Sequence, residues 1–150
     1  MPHAARPRRT EPVAADAITT ITTITVEHLD DVMDLFAQAW WTRERPRARV
    51  AAMLDSSPAN AGLLVEGELV AFARAISDFE FKAVIVDVIV DASLRRAGLG
   101  RRVVSTLLNH PALGRVDDFE LYCDPELVGY YAQLGFAQPA GTQFMRLSRT

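Results

Sequence analysis

The sequence predicts one α/β domain, a single mixed sheet with helices on its faces. Three observations carry that prediction. The chain has 150 residues, 49% of them hydrophobic, enough for one core that buries roughly two thirds of the surface an unfolded chain exposes. Stretches dense in β-branched residues alternate with stretches whose apolar residues recur at helical spacing. No internal repeat or second domain is visible, so the order β-α-α-β-β-β-α-β-α-β belongs to one unit.

Residues 1–17 are rich in Pro, Arg and Ala without apolar periodicity and are expected to form a flexible tail, leaving 18–150 as the domain. "ITTITTITV", from Ile18, suits a first strand. Leu29, Val32, Met33, Phe36 and Trp40 then share one helical face, with Glu27, Asp30 and Asp31 in the early turns, where carboxylates suit the helix dipole. A shorter helix follows in "RPRARVAAMLDSSP", with Pro46 in its first turn, Val50, Met53 and Leu54 on one face and Pro58 beyond its end.

"GLLV" and "ELVAFARAI" pair across a turn at Glu66 and Gly67. "FKAVIVDVIV" adds a strand after a turn at 77–80. A glycine-bearing loop leads into a helix with Leu99, Val103, Leu107 and Leu108 inward, and "DDFELYC" is the next strand. The last helix starts at Asp124 and Pro125, with Asp124 as N-cap, and Gly135 ends it. "TQFMRLS" is expected to close the sheet.

Several function classes drop out on composition. A formal charge of -3 does not suit a general nucleic-acid or membrane-surface binder. The single cysteine, Cys123, excludes an intramolecular disulfide, and three scattered histidines offer no metal-ligand spacing, so no metal is expected. The best apolar run, "AVIVDVIVDA", is broken by Asp87 and falls short of the roughly twenty residues that span a bilayer. "RPRR" has no apolar stretch behind it and does not read as a secretory signal, so a cytoplasmic location is expected.

"RRAGLGRR", residues 95–102, crowds four arginines around two glycines at the start of a helix. That end of a helix already carries roughly half a positive charge and should reject cations. A plain strand-to-helix turn leaves the arginines unexplained. A dinucleotide fingerprint lacks its third glycine and has too little chain after it, and the only lysine, Lys82, lies upstream in a strand, so there is no P-loop. A diphosphate held by bare backbone N–H groups and neutralised by arginine resolves the conflict.

These residues carry a family resemblance. "VIVDASLRRAGLGRRVVSTLL" resembles motif A of the GNAT superfamily of acyl-CoA-dependent N-acetyltransferases, with Arg95, Gly98 and Gly100 at the pattern positions. "YYAQLGF" is similar to the superfamily's (F/Y)-Y-x-x-x-G-F signature, with Tyr131 in the place of its tyrosine. The strand and helix order matches from Ile18 onward. Where many members have a cofactor-contacting asparagine, this chain has Asp124, whose carboxylate would repel phosphate.

The resemblance implies a GNAT-like acyl-CoA N-acyltransferase fold and acetyl transfer from acetyl-CoA to a primary amine by direct attack. It places the cofactor along Val88, Ile89 and Val90, on the loop residues Arg95, Arg96, Ala97, Gly98, Leu99, Gly100 and Arg101, and near Asp124 and Tyr131. Backbone N–H groups from Val88 to Val90 would polarise the thioester carbonyl, and Tyr131 would donate a proton to the departing thiolate. Helical spacing by itself makes Tyr131 a core residue, as it does Tyr130.

The amine must lose a proton before it attacks. Asp87 is the first candidate base, because a carboxylate amid "VIVDVIV" is costly unless used or paired; a paired structural role stays open. Glu120 is a second, with a solvent-facing reading beside it. Cys123 is expected as a small buried residue, and His28 and His110 as helix-end residues.

In this superfamily the first helices and their loop line the acceptor side, which implicates Trp40, Trp41 and Arg45 in "QAWWTRER". Aromatic rings there suit a cationic or planar acceptor, while packing of both tryptophans stays open. The reading is an N-acetyltransferase acting on a small-molecule amine. Its alternatives are a non-catalytic acyl-CoA-binding module and an enzyme that acetylates a protein or peptide. Many relatives dimerise, so a homodimer is open.

Overall fold

The computed structural model describes residues 6–7, 9–56, 59–95 and 98–149. A five-stranded sheet in the order β1-β2-β3-β4-β5 organises them. Its strands are β1 Ile18–Ile21, β2 Ala59–Val65, β3 Glu68–Ser77, β4 Lys82–Val90 and β5 Asp118–Glu120. Neighbours from β1 to β4 run antiparallel and β4 with β5 runs parallel. The helices are α1 Leu29–Phe36, α2 Arg47–Ser56, α3 Leu99–Leu108 and α4 Val128–Ala132.

Two apolar clusters cover the two faces. Val32, Leu35 and Phe36 of α1 and Val50 and Leu54 of α2 pack on Leu69, Phe72 and Ile89. On the other face Leu99, Val103, Val104 and Leu107 of α3 and Tyr131 of α4 pack on Leu63, Val65, Val70 and Ile85. Gly62 lets the first cluster close, since a Cβ there would stand 2.6 Å from both Ile24 Cδ1 and Leu69 Cδ1.

Local chemistry sets the boundaries. β1 stops at Ile21, earlier than its threonine-rich stretch predicts, because Asn60 takes over: it accepts from Ile24 N–H and donates to Ile24 C=O, at 2.8 and 2.9 Å. Thr25 Oγ1 accepts from Glu27 N–H, and His28 Nδ1 accepts from Thr25 N–H, a reciprocal cap ahead of α1. The hairpin turn has φ of 51° at Glu66 and 77° at Gly67, the left-handed pair a two-residue turn needs. Gly135, at φ 98°, ends the last helix with Gly135 N–H on Ala132 C=O and Phe136 N–H on Tyr131 C=O.

Two expectations are corrected. Trp40 does not extend the α1 stripe: the buried Thr42 hydroxyl donates to Phe36 C=O at 2.7 Å and ends the helix, leaving Trp40 69% exposed. "TQFMRLS" is not a strand, for β5 has only three residues in the sheet and offers little edge to pair with. Side chains hold the segment instead: Phe144 stacks on Tyr122 at 4.5 Å and the Arg146 guanidinium lies over both rings. In the stretch before β1, Arg6 and Arg9 pair with carboxylates of the folded domain. Pro58 lies outside the described residues.

Candidate active site

β4 and β5 pair only from Lys82 with Asp118 to Val84 with Glu120. Beyond that they part, and a cleft of about 870 Å³ opens between them. Its lining includes residues 85–88 of β4, residues 121–124 and Tyr131, together with Trp40, Trp41 and Arg45.

The parting coincides with a bulge. Phe72 pairs with Ile89 but Arg74 with Val86, so Asp87 and Val88 together face Ala73, and Asp87 has φ 56°. An extra residue bends the strand and leaves backbone unpaired. It also switches faces: Ala83 and Ile85 join the α3 cluster, whereas Ile89 joins the α1 cluster.

Asp87 is tied to two cations. Arg45 grips both carboxylate oxygens, at 2.6 and 3.1 Å, and Arg74 Nε donates to Oδ2 at 2.7 Å. Burial would raise its pKa, yet the hydrogen bonds and charges of Arg45 and Arg74 prevail and hold the carboxyl below the usual carboxylate range. Asp87 is thus paired, the role left open beside that of a base. Arg74 was not foreseen. A lone arginine inside the apolar strand "AFARAI" is the same signal that singled out Asp87, and cross-strand pairing joins them.

Tyr131 faces the cleft from α4 and is 9% exposed. Burial, reinforced by Tyr130 and Cys123, pushes its hydroxyl up to about 12, so it stays protonated at neutral pH. Cys123 shares the wall, its thiol also pushed up by burial and by Asp124 and Glu126. Asp124 stands at the start of the turn into α4 without a side-chain capping bond, so its predicted N-cap bond is not made, and it lines the cleft. Glu120 pairs with Lys82 at 3.0 Å instead of entering the cleft. His110 is structural, with Nδ1 accepting from Ala112 N–H and Nε2 against Thr22 C=O.

The glycine loop lies at the other end of β4. Gly98, at φ 77°, precedes α3, whose first turn holds no acidic residue. A Cβ on Gly98 would meet nothing, so its backbone conformation is what requires glycine. Arg95 Nε donates to Val90 C=O at 3.4 Å, and Arg101 is exposed on α3. Arg102 is not free for an anion, because it donates to Ala15 C=O, Ile18 C=O and Thr20 Oγ1. The Leu99 and Ile89 side chains are buried in the two cores, so only their main chains can serve a ligand. Arg96 and Ala97 lie outside the described residues.

The structure thus gathers Trp40, Trp41, Arg45, Asp87, Val88, Asp124 and Tyr131 around one cleft. Among the described residues no group of three or more His, Cys, Asp or Glu side chains is placed to hold a metal ion, and no helix is long and apolar enough to cross a membrane.

Comparison with known proteins places the chain in a family. The chain is 39% identical over 95 residues, 63% of its length, to serotonin N-acetyltransferase 2 of Oryza sativa subsp. japonica. It is 35% identical over 130 residues, 77% of its length, to histone acetyltransferase TAP1 of Glycine max. These matches span 45% and 52% of the two relatives' own lengths. A Trypanosoma brucei acetyltransferase structure superposes with a TM-score of 0.72 at 22% identity, covering 88% of this chain and 99% of that one, a likeness of fold. The model of the acetyltransferase (GNAT) family matches residues 25–136, from the cap of α1 to the glycine that ends α4 and the phenylalanine after it, and the chain belongs to that family.

Proposed function

We propose that the chain transfers the acetyl group of acetyl-CoA to a primary amine by direct attack, and that the amine belongs to a small molecule with a planar body. The observation that carries this reading is the placement of Tyr131, protonated at neutral pH, in the same cleft as the bulged edge of β4.

The chain's own groups fit such a co-substrate. Past Val84 the edge of β4 toward β5 has no ladder partner, so its main chain can hydrogen-bond an extended amide-bearing chain much as a strand would. The start of α3, a ten-residue helix with no acidic residue in its first turn, suits a diphosphate together with Arg95 and Arg101. Acetyl-CoA would supply the activated acyl group as a thioester. Backbone N–H groups near Val88 then stabilise negative charge on the carbonyl oxygen. Tyr131 holds its proton for the leaving sulfur.

Asp87 is assigned to positioning. It is anionic and fixes Arg45 and Arg74 at the acceptor end, while the ammonium proton leaves through water to bulk solvent. Trp40 and Trp41, in an edge-to-face pair at 5.8 Å, present partly exposed rings to a planar acceptor. The rice relative's name specifies serotonin, an arylalkylamine, which supports this choice.

The test is thiol release from acetyl-CoA with an amine panel. Turnover with arylalkylamines is the expected result. Turnover confined to lysine peptides would transfer the reading to a protein acceptor, the substrate named for the soybean relative. Binding of acetyl-CoA without thiol release from any amine would identify a non-catalytic module.

A further inference from the structure

An arginine near the start of a chain, in a stretch without apolar periodicity, belongs in water. Arg6 is instead 7% exposed. Carboxylates from three places surround it: Asp31 at 3.3 Å and Asp34 at 3.6 Å on α1, Glu68 at the start of β3, and Asp91 just past β4 at 3.4 Å. Its Nη1 also donates to Leu69 C=O at 2.6 Å. Arg9 adds a second cation on Glu68 at 2.8 Å. Residues 9–13 form one wall of a cavity of about 470 Å³ whose opposite wall is Ser93, Leu94, Arg95 and Gly98, the entry to the glycine loop.

Asp91 links Arg6 to that loop. One carboxylate oxygen accepts from Ser93 N–H at 3.0 Å and Ser93 Oγ at 2.6 Å, capping the turn Ala92–Leu94. The other is shared by Arg6 and Gln38, each at 3.4 Å, and Gln38 in turn accepts from Ala92 N–H at 2.7 Å. Ser93 therefore hangs from the Asp91 carboxylate and Ala92 from Gln38, and the far oxygen of Asp91 is held jointly by Gln38 and Arg6.

We propose that Arg6 is a positioning residue of the diphosphate-binding loop, neutralising the carboxylates behind it and fixing Asp91 so that the Ala92–Leu94 turn keeps its shape. The proposal rests on the loop's assignment to acetyl-CoA. Without Arg6, Asp91 and Asp31 lose the cation they share, while Glu68 keeps Arg9, and the added negative field beside Asp91 opposes a diphosphate brought to the same end of β4. Asp91 is also freed to turn toward solvent and release its cap.

The test compares the full chain with Arg6→Ala and Arg6→Lys in two measurements. Amide hydrogen exchange without ligand reads the loop directly. In Arg6→Ala, Ala92 and Ser93 should exchange about tenfold faster while amides of β3 and α3 are unchanged. Calorimetry with coenzyme A should show a Kd raised about tenfold, and Arg6→Lys should recover most of the affinity by keeping the charge. Unchanged exchange at Ala92 and Ser93 overturns the proposal, and so does exchange that rises uniformly across the sheet. Failure of the unaltered chain to bind coenzyme A sinks the assignment of the loop, yet the exchange result still decides the role of Arg6. Should Arg6→Ala not fold, Arg6→Met keeps the length of the side chain without its charge or donors and must show the same local exchange; if it does not, the proposal fails.

Discussion

The hydroxyl oxygen of Tyr130 lies 2.7 Å from the point where a Cβ would stand on Gly100, so α4 is seated against the first turn of α3 through the absence of a side chain. Tyr130, a packing residue by its spacing, is thereby the contact that joins the two halves of the family pattern.

Gly100→Ala tests that contact. Alanine inside a helix ordinarily gains about 1 kcal/mol over glycine. Here the gain should be cancelled, because the tyrosine ring must shift, so the substitution is expected to be neutral or mildly destabilising. In a Tyr130→Phe background the same change should stabilise, with a coupling of about 1 kcal/mol by urea unfolding. Additive effects would show that the ring moves aside freely.

Gly98 should behave differently, since no neighbour limits it and only its φ of 77° does. Alanine should cost about 1 kcal/mol, asparagine less and valine more, in that order by denaturant unfolding. Gly98→Val should also lose acetyl-CoA binding while its circular dichroism stays native. Retained binding would separate the loop from the cofactor.

Tyr131→Phe is expected to lower kcat by about 10²-fold with little change in acetyl-CoA affinity. A hydroxyl pushed up to about 12 by burial is protonated throughout the neutral range, so Tyr131 should produce no limb in the pH–rate profile below pH 10. The same shift carries a stability consequence. The folded protein binds this proton more tightly than the unfolded chain, so stability should fall as pH rises from about 10 toward 12, less so in Tyr131→Phe.

Asp87→Asn removes the anion shared by Arg45 and Arg74. Both arginines retain some solvent contact, so a loss of about 2 kcal/mol at pH 7 is expected, below the range for a fully buried pair. The lowered pKa of Asp87 means that its contribution is present above the ordinary carboxylate range and vanishes as pH falls through the lowered value. Unfolding curves of the two proteins should therefore converge in acid. The acid limb of kcat/KM should survive the substitution; its disappearance would restore Asp87 as the base.

The order of helices and strands was legible up to α4 because each element carries a local signal: apolar spacing in α1, the Glu66-Gly67 turn, the β-branched run of β4, the glycine after α4. So were the two motifs, since glycine and tyrosine at fixed intervals are properties of the chain itself. The absent last strand and the exposed Trp40 were not, because a strand needs an edge to pair with and a helix ends where a distant hydroxyl caps it.

What the sequence alone determined is thus the order of the elements up to α4 and the two motifs, the glycine loop and the tyrosine signature. The tertiary structure decided which charges meet. Arg45 and Arg74 reach Asp87 across 42 and 13 residues, and Arg6 reaches Asp91 across 85. A register jump in β4 places the first group, and a segment with no periodicity places the second. Local propensity and periodicity extend over a few residues, whereas an ion pair depends on where the folded backbone brings two charges, and for that no short stretch of sequence holds the information.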